Sequence, residues 1–321
     1  MLKLLSPILT VIALALGIAD THAAEAFPSK PIKIIAGFQA GGSSDSAARL
    51  IARELQQELG SPVIVENLPG GGGRRSFETV YSAPPDGYTL LLADMPSMQV
   101  GEIGYGGRYK TLEFTFLEQF FSRSHAVAVR ADSPLKSFAD LVAAAKAKRM
   151  TYSSPGMGTT AHLQAELMRK NADLALVQVP YDSGTSAVGA VLGGKVDVTI
   201  SGIEGVLAST KAGQARLLAV LFDERLKAAP DVPTLKELGY PKGYFTATVG
   251  ILAPPNLAPD ARGRLEKALA KIALAPSMVA YSENSGTGLE VLGPDAYRAR
   301  SKALHEVIAD NIEVMKAAPK K

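Results

Sequence analysis

The chain has no cysteine, no tryptophan and only four histidines, His22, His125, His162 and His305. Without a thiol there is no disulfide, no thiolate nucleophile, no cysteine-held zinc or iron–sulfur centre and no lipid-anchored cysteine. No two histidines stand at i, i+4 or as H-x-H, so neither a metal nor a cofactor is expected. Charge of one sign is missing too. The balance of 34 Lys and Arg against 31 Asp and Glu leaves +3, and no basic run exceeds the pairs Arg74-Arg75 and Lys320-Lys321. A nucleic-acid footprint is therefore not expected. No G-x-S-x-G nucleophile elbow occurs. Gly189-x4-Gly194-Lys195 continues into Val196 and precedes a strand, so it lacks the hydroxyl and the order of a P-loop.

What is present is ample apolar material: 47% of 321 residues, enough for two cores. Residues 1–26 have the shape of an export segment. Lys3 precedes a largely apolar stretch from Leu4 to Ala19, and Thr21-His22-Ala23 and Ala24-Glu25-Ala26 offer small-residue cleavage signatures. That stretch is shorter than the roughly 20 residues needed to span a bilayer. The mature chain is expected to be exported and soluble.

Beyond it, short β-rich runs alternate with amphipathic helices, the pattern of α/β layers on a largely parallel sheet. Ile32–Gly37 reads as a strand. Asp45 can cap a helix to Leu59, with Ala47, Ile51, Leu55 and Leu59 on one face and Gly60 closing it. Val63–Glu66 and Tyr88–Ala93 read as further strands, whereas residues 94–115 are glycine-rich, weakly periodic and read as irregular. A second unit follows: strands at Ala126–Arg130, Met150–Ser153, Leu174–Val179, Val196–Ile200 and Leu217–Phe222, with helices between some of them. After Ala247–Leu252 come two helices, one bearing Leu265, Leu269 and Ile272, the other Tyr297, Leu304, Ile308, Ile312 and Met315. Their apolar stripes are expected to pack on the N-terminal unit. The chain then crosses between units near 126 and near 245, dividing it into 27–125, 126–244 and a return segment 245–321. Two crossings make a hinge.

Three loops share one design of strand, small residues and helix start. Unpaired N–H groups there carry about half a positive charge and attract anions. They are Phe38-Gln39-Ala40-Gly41-Gly42-Ser43-Ser44-Asp45, the glycine run Gly70–Gly73 ahead of Arg74, and Ser153-Ser154-Pro155-Gly156-Met157-Gly158-Thr159-Thr160. The third also contains Gly156-x-Gly158-x-x-Ala161, with Asp182 after the next strand, which leaves open an NAD(P)-binding enzyme. Export weighs against it, since dinucleotides are not maintained outside the cell.

The motifs, taken in order, resemble the Bug-type receptors of tripartite tricarboxylate transporters. They are Phe27-Pro28-x-Lys30-Pro31-Ile32, Phe38-x-x-Gly41-Gly42-Ser43-Ser44-Asp45, Val63-x-Val65-Glu66-Asn67-x-Pro69-Gly70 and Pro85-Asp86-Gly87-Tyr88-Thr89-Leu90. They continue with Tyr152-x-Ser154-x-Gly156-x-Gly158-x-x-x-His162-Leu163, Val179-Pro180-Tyr181, Gly193-Gly194-Lys195-Val196-Asp197, Pro230-Asp231-Val232-Pro233-Thr234 and Ala253-Pro254. The resemblance implies a two-lobed periplasmic binding protein (a Venus flytrap, type II-like) with two chain crossings at the hinge. It implies a monomer that is not an enzyme, takes a small carboxylate and delivers it to membrane subunits. A sensory receptor for the same ligands is the other role such a fold allows. One carboxylate is expected at Gly41–Asp45, flanked by Phe38, Gln39 and Ala40. The other end is expected at Ser153, Ser154, Gly156, Gly158, Thr159, Thr160 and His162, with Tyr181 and Ser201 nearby. Arg74 and Asp94 depart from the family's small or neutral residues. An acid at 94 is expected to repel carboxylates unless Arg74 neutralises it or the ligand carries an amine.

Overall fold

The structure, a computed structural model, describes residues 27–222, 224–240 and 245–316. The expected export segment lies outside the described residues. The first run of elements is β1 (Ile32–Ala36), α1 (Ser43–Leu59), β2 (Val63–Asn67), α2 (Arg74–Tyr81), β3 (Thr89–Met95), α3 (Ser97–Tyr105) and β4 (Thr115–Arg123). The second is β5 (His125–Arg130), α4 (Phe138–Ala147), β6 (Met150–Ser154), α5 (Thr160–Ala172), β7 (Leu176–Pro180), α6 (Gly184–Leu192), β8 (Val198–Gly202), α7 (Ile203–Lys211) and β9 (Ala215–Leu221). The return comprises β10 (Ala247–Ala253), α8 (Pro259–Ile272), α9 (Pro276–Ser285), β11 (Gly288–Leu292), α10 (Pro294–Asn311) and a 3-10 turn at Ile312–Lys316.

These elements build two sheets, each the centre of a lobe. The first has the order β11-β4-β10-β3-β1-β2 and the second β7-β6-β8-β5-β9. Both are mixed, where the alternating pattern suggested a largely parallel sheet. β10 runs antiparallel to β3 and β4, β11 antiparallel to β4, and β5 antiparallel to β8 and β9. β10 and β5 are the strands the chain enters just after changing lobes, and β11 closes the edge of the first sheet. Arg123 at the end of β4 sits opposite Ala247 of β10, and His125 at the start of β5 sits opposite Leu221 of β9. The two crossings therefore run side by side. On the first path Ser124 alone separates the strands.

Amphipathic spacing explains the helices that were legible. In α1 the residues Ala47, Ile51, Leu55 and Leu59 are buried on the first sheet, and Gly60 ends the helix at φ 66° with its N–H bonded to Gln56 O. The start differs from expectation. Gly42, not Asp45, is the N-cap, and it offers no side-chain acceptor. Residues 94–115 are not irregular either, because α3 occupies Ser97–Tyr105. Its interior glycines hide it from a periodicity reading, yet packing demands them. A Cβ on Gly104 would stand 2.8 Å from Ile312 Cδ1, and one on Gly101 would stand 2.9 Å from Arg74 Cγ.

The C-terminal stripes differ in reach. Leu265, Leu269 and Ile272 join the first lobe's core, and Tyr297 packs with Phe116 and Leu252. Ile308, Ile312 and Val314 cluster with Val100 of α3 in the first lobe and also with Leu163 and Leu167 of α5, which belongs to the second. The second stripe therefore packs on the N-terminal unit and reaches the other lobe as well. That contact explains why Thr160–Arg169 of α5 are buried throughout: the helix is covered from both sides.

Strand β4 carries Glu118 inside an otherwise apolar run. Burial raises its carboxyl to about 7, with a smaller push from the Glu266 charge. An acid whose pKa is raised on folding stabilises fully below its unfolded value and loses that contribution as pH climbs through the folded one. The window here runs from pH 4.5 to about 7. In Glu118→Gln the melting temperature, relative to wild type, is expected to gain a few degrees between pH 4.5 and pH 8. A gap that stays constant across that range contradicts the assignment.

Candidate functional site

The carboxyl ends of β1, β3, β6, β7 and β8 open onto the crevice between the lobes, where ligands of open α/β sheets bind. Each is followed by a small-residue turn and a helix. An inner chamber of about 40 Å³ is walled by Phe38, Gly42, Ser43 and Ser44 from the first lobe, with Asp94 and Ser97 beneath. The second lobe supplies Pro155, Thr159, Thr160 and Ala161, then Ser183, Gly184 and Gly202, while Arg123 and His125 come from the crossing. The starts of α1, α3, α5, α6 and α7 thus converge on one point. Two of the five are capped internally: Thr159 Oγ1 accepts from His162 N and Ser183 Oγ from Ser186 N. The capping positions of α1 and α7 are Gly42 and Gly202, with no side-chain bond. That leaves the first-turn N–H groups at Ser43 and Ser44 free of intrahelical partners and facing the chamber.

A polar chain links the lobes under this chamber. Glu204 at the start of α7 contacts Arg123 Nε, and Arg123 donates from its Nη1 to Asp94 Oδ2 at 2.7 Å. Ser97 donates to Asp94 Oδ1 at 2.6 Å and accepts from the Thr160 N–H at 3.1 Å. The chain therefore passes from second lobe to crossing, to first lobe, and back to the second lobe at α5. Burial would lower the Arg123 pKa, but Glu204 and then Asp94 outweigh it and hold the guanidinium charged. Asp94 does lie at the cleft, as expected, but its counter-ion is Arg123 and not Arg74. Next along, burial and the Arg123 charge push His125 down to about 3, so its imidazole is neutral at neutral pH. Its Nδ1 is buried and without a hydrogen-bond partner among the described residues.

A second, outer chamber of about 380 Å³ shares Phe38 and Pro155 with the inner one. Gly70–Gly73, Arg74 and Tyr105 line one side, and Gly156, Met157, Tyr181 and Asp182 the other. The glycine run is needed for the approach. Gly72 has φ 67°, and a Cβ there would run into the Met157 carbonyl of the opposite lobe.

The expected residues are thus split. Phe38, Gly42, Ser43, Ser44, Asp94, Thr159 and Thr160 line the inner chamber; Phe38, Arg74, Gly156 and Tyr181 line the outer. Gln39 and Gly41 bridge the lobes: Gln39 Nε2 donates to Asp182 at 3.3 Å, and Thr185 Oγ1 donates to Gly41 O at 3.5 Å. Others are placed differently from expectation. Ala40 is exposed at the loop tip. Asp45 turns back to accept from Gly41 N–H and Arg49; burial would raise its carboxyl, but those bonds hold it low. Ser153 donates to Ala187 O and Ser154 accepts from Gln178, so both serve the fold. His162 Nδ1 accepts from Gly158 N–H and shapes the loop; burial, then the Arg169 charge, lowers it to about 4. Ser201 lies behind Gly184, where an added Cβ would stand 3.0 Å from its Oγ.

Arg123, Ser97, Ser183, Gly184 and Gly202 were missed. A lone Arg ending an apolar run, just where the chain was expected to cross, was the available signal. Among the described residues no group of three His, Asp or Glu side chains is gathered as a metal site needs. The Gly156–Gly158 loop does sit between strand and helix, with Met157 against Gly72 and Asp182 paired with Gln39 across the crevice.

A family model described as "Tripartite tricarboxylate transporter family receptor" matches residues 47–319. Protein BugT of Bordetella pertussis is 32% identical over 318 residues, covering 98% of this chain and 95% of that one. A solved periplasmic transporter superposes with TM-score 0.85 at 28% identity, covering 90% of this chain and 98% of its own. Periplasmic binding protein BugD gives 0.84 at 25% identity, with 90% and 99% covered.

Removing Arg123 strands two buried carboxylates. Arg123→Met is expected to lose about 3–5 kcal/mol of unfolding free energy, read from urea titration. Combining it with Asp94→Asn and Glu204→Gln, which neutralises the set, is expected to recover most of that loss. Unchanged stability in the single variant contradicts the assignment.

Proposed function

The chain belongs to the tripartite tricarboxylate transporter receptor family, and on that footing we propose that it captures a small carboxylate between its lobes and delivers it to membrane subunits of such a transporter. The observation that carries this reading is the convergence of five helix starts, two from the first lobe and three from the second, on a single small chamber. Each start presents roughly half a positive charge. An anion there is held by dipoles and hydroxyls from both lobes at once, so it favours the closed arrangement by its added contacts with the second lobe. Asp94 is paired with Arg123, which weakens its repulsion of an anion in the chamber.

Nothing in this task calls for a nucleophile or a metal. Neutral His125 leaves a nitrogen free to bond a carboxylate oxygen or an intervening water, as donor or acceptor according to its tautomer. A receptor must also let go. Backbone dipoles and hydroxyls bind less tenaciously than a dedicated buried cation, and opening the hinge removes most of them together. Hinge closure requires no second copy, so a monomer suffices. The location fits an exported, periplasmic protein whose residues 1–26 are removed; among the described residues no helix is long and apolar enough to cross a membrane.

Calorimetric melting against a panel of mono-, di- and tricarboxylates, each paired with its amide, tests the reading. At 100 times Kd an acid is expected to add about 2.7 kcal/mol and raise the melting temperature by several degrees, while its amide does not. Equal shifts for acid and amide, or none for any acid, contradict it.

A further inference from the structure

The outer chamber holds a cation, Arg74, that forms no close ion pair among the described residues, although Glu78 on the same helix feels its charge at longer range. Arg74 leaves the first position of α2 with its stem laid across Gly101 of α3, whose missing side chain makes room for it. Its guanidinium lies beside Gly71, with Nη2 3.1 Å from where a Cβ would stand, and its carbon is 5.0 Å from the centre of the Tyr105 ring. Tyr105 is fixed in turn, its hydroxyl 3.4 Å from His162 Nδ1 and its ring against Gly158. The acids that could have answered the charge are engaged elsewhere. Glu78, one helical turn on, accepts from the Arg108 N–H at 3.0 Å and guanidinium at 3.2 Å, and Asp182 across the chamber accepts from Gln39. Neighbouring Arg75, by contrast, is exposed and outside the chamber wall.

We propose that Arg74, held flat by Tyr105 and Gly71, is a second-anion subsite that sets which acid the protein selects. The inference rests on the carboxylate reading above and deepens it. The inner chamber, at about 40 Å³, takes little more than one carboxylate, so the rest of the ligand extends past Phe38 and Pro155 into the outer one. Those two apolar residues form a waist suited to methylene groups. A ligand with a second carboxylate beyond the waist meets a guanidinium already oriented, so little freedom is lost in forming the paired hydrogen bonds. A monocarboxylate of the same length leaves that cation unanswered. The selected class is therefore an extended acid with anionic groups at both ends.

Isothermal titration of linear α,ω-dicarboxylates of four to eight carbons, each against the monocarboxylate of equal length, tests this on the full mature protein. Wild type is expected to prefer at least one dicarboxylate over its partner by about ten- to a hundredfold, the effect of a hydrogen bond to a charged group. In Arg74→Gln that preference is expected to vanish while the monocarboxylate affinity and the melting temperature hold. Arg74→Lys, which keeps charge but not the flat fork, is expected to restore part of it. A preference that survives in Arg74→Gln, or no dicarboxylate preference in wild type despite monocarboxylate binding, overturns the subsite alone. If no acid of either kind binds wild type, the carboxylate reading itself fails, and this inference with it.

Discussion

One buried arginine ties the hinge to the binding site. Arg123 is the last residue of β4, a single residue from the other lobe, and its two carboxylates come from opposite sides of the crevice: Asp94 from the first sheet, Glu204 from the second lobe's α7. Burying such charges is costly, and the return depends on every partner being in place. That makes the lobes' arrangement discrete, because a relative shift would break the contact with Glu204 and leave a buried carboxylate behind, while Asp94 stays with Arg123 on the first sheet. The same side chain explains two features of the chamber above it. It pairs with Asp94 and so weakens that acid's repulsion of an anion, and its charge helps keep His125 neutral.

Around that anchor the site divides its labour by chemistry. The inner chamber uses helix starts and hydroxyls, donors built into any strand–turn–helix unit, and gathers them from both lobes so that binding and closure are one event. The outer chamber is walled by glycines on one side and by Met157 and Tyr181 on the other. Close approach there depends on missing side chains: Gly72 meets the Met157 carbonyl, and Gly101 admits the Arg74 stem. The first chamber grips with donors any anion receptor can use, whereas the second carries the Arg74 cation.

Much of the site's framework could be read from residue order, because strand, small residues and helix start are local features. The loops at 38–45 and 153–160 were found that way, and both border the crevice. What escaped is non-local. The partner of Asp94 sits 29 residues away and shares no motif with it. Ser153 and Ser154 carry the right chemistry, but as the end of a strand their side chains are used by Ala187 and Gln178. Strand β4 was obscured by Glu118, a carboxyl that burial brings close to neutrality at pH 7, and α3 by glycines whose reason is an isoleucine more than two hundred positions on. The start of α1 was misplaced because an aspartate is the stronger textual signal for a cap, yet glycine at the cap is what leaves the N–H groups for a ligand.

A carboxylate gripped by both lobes at once must change the distance between them. The chain has no cysteine, so Thr79→Cys on α2 and Lys195→Cys after α6, both at exposed positions, would carry the only two spin labels. Pulsed electron spin resonance then reads their separation with and without a bound acid. A saturating carboxylate is expected to shorten and narrow the distance distribution, while the corresponding amide leaves it unchanged. An identical distribution with and without an acid that calorimetry shows to be bound would contradict a grip by both lobes.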